Sequence, residues 1–168
     1  MKFIASLLLL ATTTIAVPVA NAEESKHFHL KTSGATNSDH NNLYVYAYHT
    51  GAGLNDAVLT EDVNTASPAY LNGTKTLFDL KTEFPWGMNA PGVTNYASWA
   101  PITINAGEGN DGFSLKGDDF VWSEEMGFGG WLVCDWFHNA PQLFYLYNYY
   151  DAKIPSSCSE VDLKAEYI

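Results

Sequence analysis

The chain contains no arginine. Its cations are eight lysines, set against nineteen aspartate and glutamate residues, for a formal net charge of −11 at pH 7. Phosphate backbones are neutralised by clustered Lys and Arg, and Arg is the planar fork that best fits phosphate and carboxylate. Nucleic acid and anionic membrane surfaces are therefore poor partners. The surplus acid reads as a solubility device for an acidic or crowded exterior. Helical periodicity is missing too: no window keeps it beyond about two turns. The segments 61–69 and 118–126 are the weak exceptions and predict at most one short helix or 3₁₀ turn. No stretch after the first 22 residues approaches the ~18 apolar residues of a membrane helix. No linker or low-complexity run divides the chain, and the C-terminal 161–168 lacks the hydrophobic tail of a lipid-anchor signal. Cysteine is scarce, with two residues.

The chain does begin with an apolar stretch. Lys2 supplies a positive start, Phe3 to Ala16 is apolar apart from one Ser and three Thr, and Ala20-Asn21-Ala22 fits a small-x-small cleavage site. Residues 1–22 therefore read as a signal peptide, not as an uncleaved anchor. Cleavage leaves 23–168, enough for one secreted domain with a real core. Behind a signal peptide, Cys134 and Cys158 read as one disulfide; the alternative is a free reactive thiol pair. Closing a loop of that length stabilises a fold by ~3 kcal/mol on the chain-entropy model. Asn72-Gly73-Thr74 is the one N-x-S/T sequon, and its glycine predicts an exposed turn open to glycosylation.

Short apolar or alternating runs recur between Gly, Pro, Asn and Asp clusters. They predict about ten to twelve short strands. The fold class is all-β, a single-domain antiparallel sandwich or barrel, with a β-trefoil as the alternative. The richest stretch is 129–158. Two nearly continuous apolar runs, 130–138 and 142–149, flank His138-Asn139-Ala140-Pro141, a turn by composition. They predict a central antiparallel hairpin buried on both faces. Leu43–His49 echoes Leu132–His138 at an offset of 89, and Phe28-x-Leu30-Lys31 echoes Phe113-x-Leu115-Lys116 at 85. The echo reads either as two copies of one hairpin unit or as the chance likeness of aromatic strands.

Candidate chemistry is sparse. His49 with Asp56, and His138 with Asp135, could each form an oriented base. No G-x-S-x-G elbow supplies a nucleophile. Alternation along an extended strand puts Asp135 opposite His138, so His138 is expected to serve the turn structurally. His27 and His29 share a strand face, but a metal site needs further ligands that the sequence does not place. A copper site using the N-terminal amine is excluded by the expected Glu23 start. Asp118-Asp119 and Glu124-Glu125 read as solvated turns before they read as a glycosidase pair. Asn55-Asp56 and 109–112 have calcium-loop composition without the order of a calcium loop. No catalytic residue, metal or cofactor is assigned.

The segments YHTGAGLNDA (48–57), FPWG (84–87), GGWLVCDW (129–136), PQLF (141–144) and IPSSC (154–158) together resemble a family of small secreted proteins of filamentous ascomycetes, a family of unknown function. The resemblance covers nearly all of 28–168. It implies an extracellular fungal protein and carries over no catalytic residues.

Aromatic residues are abundant: five Trp, ten Tyr and nine Phe. More are present than a small core holds, so some are expected at the surface. Trp86 in its Pro- and Gly-rich loop, Trp99 beside Pro101, Tyr147 and Tyr149 are the candidate ligand-binding aromatics. The reading is a secreted, non-catalytic, effector-like binding module, free in the medium or associated with the cell wall. Its partners would be a cell-wall glycan or a host or other extracellular protein. The alternatives are a carbohydrate-binding protein using exposed aromatics and a small hydrolase with a His base.

Overall fold

The structure, a computed structural model, describes residues 26–92, 98–148 and 153–168. The expected signal peptide, 1–22, and the candidate Tyr149 lie outside the described residues. The fold is all-β. Thirteen strands form one antiparallel sheet. The first six are β1 (Phe28–Ser33), β2 (Tyr44–Gly51), β3 (Leu54–Thr60), β4 (Ala69–Asn72), β5 (Lys75–Phe78) and β6 (Trp86–Asn89). Then come β7 (Trp99–Pro101), β8 (Thr103–Ala106), β9 (Ser114–Lys116), β10 (Asp119–Val121), β11 (Phe128–Asp135), β12 (Pro141–Tyr147) and β13 (Cys158–Tyr167). Two 3₁₀ turns, Ser38–His40 and Glu124–Met126, are the helical content of the described residues. Only the second falls in a stretch predicted as weakly helical.

The sheet runs β2-β1-β4-β5-β6-β8-β3-β12-β11-β13-β10-β9, with β7 added on β12. Pairings of β2 with β3 and β1 with β13 bring the path back onto itself. The sheet thus wraps its core without being a simple barrel. β13 shows why the chain folds this way. Ser159, Val161, Leu163 and Ala165 are buried in alternation with exposed Glu160 and Asp162, the period of a strand with one wet face.

The central hairpin behaves differently, as its continuous apolar sequence predicts. β11 and β12 pair from Trp131↔Tyr145 to Asp135↔Pro141, and both faces are buried from Trp131 to Cys134 and from Gln142 to Leu146. Trp131, Val133, Leu143 and Tyr145 enter the main core. Leu132, Cys134, Phe144 and Leu146 form a second apolar cluster on the opposite face. In the main core, the rings of Trp122, Phe113, Phe120 and Trp131 stack in series at centroid spacings of 5.8, 5.6 and 5.6 Å. The Trp131 indole donates to Phe120 O at 2.7 Å, and the Tyr145 hydroxyl donates to Pro91 O. Both buried donors are thereby paired.

One close approach explains the FPWG motif. A Cβ at Gly87 would land on the backbone of Glu108 and Gly109. Gly109 itself has φ +72, a backbone conformation open to glycine at little cost. The β6 strand can lie against the 107–109 loop only because neither residue carries a side chain.

Candidate functional site

The β11–β12 hairpin ends sooner than its sequence predicts. β11 stops at Asp135, and His138 and Asn139 take positive φ values of 21 and 54. Residues 136–140 therefore fold over the sheet. This removes the premise that His138 lies in an extended strand. Its Nε2 meets Asp56 Oδ2 at 2.8 Å, and its ring lies 4.2 Å from that of Tyr48. Neither candidate pair, His49–Asp56 or His138–Asp135, forms among the described residues; Asp56 goes to His138 and Asp135 to His40. The β2–β3 register sets Asp56 opposite Tyr48 and His49 opposite Asn55, so Asp56 and His49 point to opposite faces. His138 thus pins the hairpin tip onto β2–β3.

Asp135 has another partner. The His40 Nε2 lies 3.3 Å from Asp135 Oδ1, and its Nδ1 lies 3.1 Å from Ser159 Oγ. The residue types are those of a hydrolase triad, but the access is inverted. Ser159 is 2% exposed and His40 1%, while the carboxylate at the far end is open to solvent at 65%. Ser159 Oγ also accepts the backbone N–H of Asn37 at 3.3 Å. A nucleophile sealed under the sheet meets no substrate. The arrangement instead ties the Ser38–His40 turn to the strands that carry Cys134 and Cys158. Those cysteines face each other across β11 and β13 and are bonded, with Cα atoms 4.0 Å apart.

Above the second apolar cluster sits a set of rings. Trp136 lies 5.6 Å from Trp99 and 5.4 Å from Phe144, and Trp99 lies 5.2 Å from Phe144, all edge to face. Phe137 packs edge-on to Trp136 at 5.2 Å. Trp99 is half-buried, Trp136 is 41% exposed and Phe137 74%. Of the predicted surface aromatics among the described residues, only Trp99 belongs to this patch. Trp136 and Phe137 were hidden by being read as strand residues. Tyr147 is half-buried and lies 5.0 Å from Tyr145, whose phenol is pushed well above its ordinary range by burial and by Tyr147.

Trp86 departs from its expected exposure. It is 8% exposed, and its indole donates to Thr82 Oγ1 at 2.7 Å. Phe84 lies over it at 5.1 Å and is 50% exposed. The open ring of that loop is therefore Phe84. Phe84 borders a groove with His27, Tyr70, Asp79, Thr82 and Glu83.

The remaining candidates are dispersed. Asn72 is exposed at the tip of the β4–β5 hairpin. His27 meets the Tyr70 ring, whereas His29 is buried against Tyr44. Asp118 and Asp119 both reach Lys164, at 3.6 and 2.5 Å. Asn55 bonds Ile104 O through its amide, and Asn110 accepts from Ala90 N–H, so the calcium-like segments hold backbone. Among the described residues no three His, Cys, Asp or Glu side chains converge as metal ligands, and no helix is long and apolar enough to cross a membrane.

A family model described as a domain of unknown function (DUF7907) matches residues 25–167. No curated protein and no solved structure matches the chain.

Proposed function

The chain belongs to the DUF7907 family, and on that premise we propose that it is a non-catalytic binding module acting outside the cell. The observation that carries this reading is the aromatic patch of Trp99, Trp136 and Phe137. Large rings half in water, braced on a rigid sheet, are the usual anchors of recognition surfaces. The bonded cysteine pair and the signal-like start support an extracellular address. The likeness to secreted ascomycete proteins supports a fungal source and a place in the medium or at the cell wall. An exposed Asn72 in a sequon supports N-glycosylation on the secretory route. The hydrolase alternative loses support because the serine hydroxyl beside His40 is buried, and His138 is tied to Asp56 at the hairpin tip.

The test is an array of extracellular glycans and proteins probed with the full chain recovered from a secreting host. Retention of one ligand class is expected, with loss in the Trp136→Ala/Phe137→Ala double variant at an unchanged melting temperature. Absence of binding, or hydrolysis of a test ester or glycoside that requires His138, overturns the reading.

A further inference from the structure

The groove at Phe84 is separate from the aromatic patch and has a chemistry of its own. It holds about 460 Å³ and is open on one side, within the ~300–1,000 Å³ typical of small-ligand sites. Its lining includes the rings of His27 and Tyr70, which meet at 5.1 Å. The lining also includes Phe84, propped on Trp86, which is itself fixed by Thr82.

The polar groups of the lining are unevenly engaged. Asp79 is tied to Lys81 Nζ at 2.5 Å, and that bond, with the Lys81 backbone N–H, holds its carboxyl below the usual range. Glu83 is exposed. Among the described residues neither its carboxylate nor the Tyr70 hydroxyl has a hydrogen-bond partner. The lining therefore carries one uncompensated negative charge beside aromatic faces, on a protein of net charge −11. Carboxylate and ring faces both attract a cation. An anionic ligand, such as a phosphorylated, sulfated or uronic sugar, would meet repulsion without any Arg to offset it. The aromatic rings of the lining suit the flat C–H face of a pyranose, whose hydroxyls can use the Tyr70 hydroxyl and the His27 imidazole.

We propose that this groove binds an amino sugar, with the pyranose ring against Tyr70 and Phe84 and its ammonium group on Glu83. The site works independently of the Trp136 patch, so either can fail while the other stands.

The experiment titrates the full chain from a secreting host with the glucosamine disaccharide, using calorimetry or ligand-observed NMR. The neutral N,N′-diacetyl disaccharide and a dilysine peptide serve as comparators. Saturable binding of the glucosamine disaccharide is expected, about tenfold tighter than the diacetyl form, the equivalent of one modest charge contact. Higher salt should weaken it. Glu83→Gln should abolish the preference for the charged form, and Phe84→Ala should remove binding of both saccharides. Both side chains are exposed, so the variants should melt with the parent. Phe137→Ala, on the other surface, should bind the disaccharide normally. Equal affinity for the two saccharides, equal binding of dilysine, indifference to Glu83→Gln and Phe84→Ala, or loss in Phe137→Ala would each overturn the proposal.

Discussion

The two faces of the β11–β12 hairpin are built from the same strands and do different work. The inner face, with Trp131, Val133, Leu143 and Tyr145, is closed by other strands of the sheet, and its polar atoms are paired. The outer face, with Leu132, Cys134, Phe144 and Leu146, is roofed by Trp99 and by the loop that carries Trp136 and Phe137. Gln142 lies on that outer side, 2% exposed, with its Oε1 unpartnered. A second unpartnered buried atom, His29 Nδ1, is on the outer side of β1, where His29 pairs with Glu166. The third, Thr76 Oγ1, is on β5. A face closed by strands can be optimised for stability alone. A face closed by a loop keeps rings in water, which is where recognition surfaces are found.

The largest effect should come from breaking the inner face. Trp131 is 3% exposed and packs on Phe120 and Phe128. Trp131→Ala should cost about 3–5 kcal/mol, a large share of the ~5–15 kcal/mol that holds a typical domain. Urea denaturation followed by far-UV circular dichroism measures it. A loss under about 1 kcal/mol would mean the inner face is not the closed core described here.

The disulfide belongs to the outer face and comes next. Cys134→Ser/Cys158→Ser should lose ~3 kcal/mol on the chain-entropy model. Reductant applied to the parent protein should produce the same shift in the urea midpoint. If reduction shifts it by less than a third of that, the sheet holds β13 in place without help from the bond.

A smaller effect should appear with pH. Burial lowers the His29 pKa from 6.5, and Glu166 opposes this. Lys31 and Tyr44 also face this group, each hydrogen-bonded to Glu166. With the folded value below the unfolded one, the unfolded chain takes up the proton first as pH falls. The contribution is complete above 6.5 and is lost as pH drops from there through the folded value. The urea midpoint should therefore decline between pH 7.5 and 5.5 in the parent and decline less in His29→Phe. Equal slopes would show that His29 is not the responsible group.

Legibility in the sequence follows the same division. The inner face was readable because a continuous apolar run signals burial on both sides, and the all-β class because turn residues punctuate short strands. The cysteine pairing was readable because there were only two. The outer face was not. His138 meets Asp56 and Tyr48 from a turn in which it adopts a positive φ, a conformation that a reading of 130–138 as one extended strand leaves out. His40, Asp135 and Ser159 are 95 and 119 positions apart in their contacts, with no local pattern to betray them. Trp86 was misjudged because composition marks a loop as exposed, while burial depended on Thr82 as acceptor and on the bare glycine backbones of 87 and 109. The echo of 43–49 in 132–138 does correspond to adjacent hairpins, joined through Val58↔Gln142. It fails at the side-chain level: His49 is exposed, while His138 is held by Asp56.

The smallest stability effect should be Phe137→Ala, and it is the sharpest test of the comparison. Phe137 is 74% exposed and its ring contact is with Trp136. Removing a side chain that solvent already surrounds should change stability by no more than ~0.5 kcal/mol. If the outer face is a recognition surface, the same change should weaken ligand retention by about tenfold or more, as loss of an aromatic anchor does. Melting temperature and array binding, measured on one preparation, separate the possibilities. A drop of several degrees would make Phe137 part of the roof over Phe144, and the outer face would then be a second core. Unchanged stability with unchanged binding would leave the patch as a cover for β11–β12 and remove the site from the proposed function. Only stability retained with binding lost fits a face whose rings are kept in water for a partner.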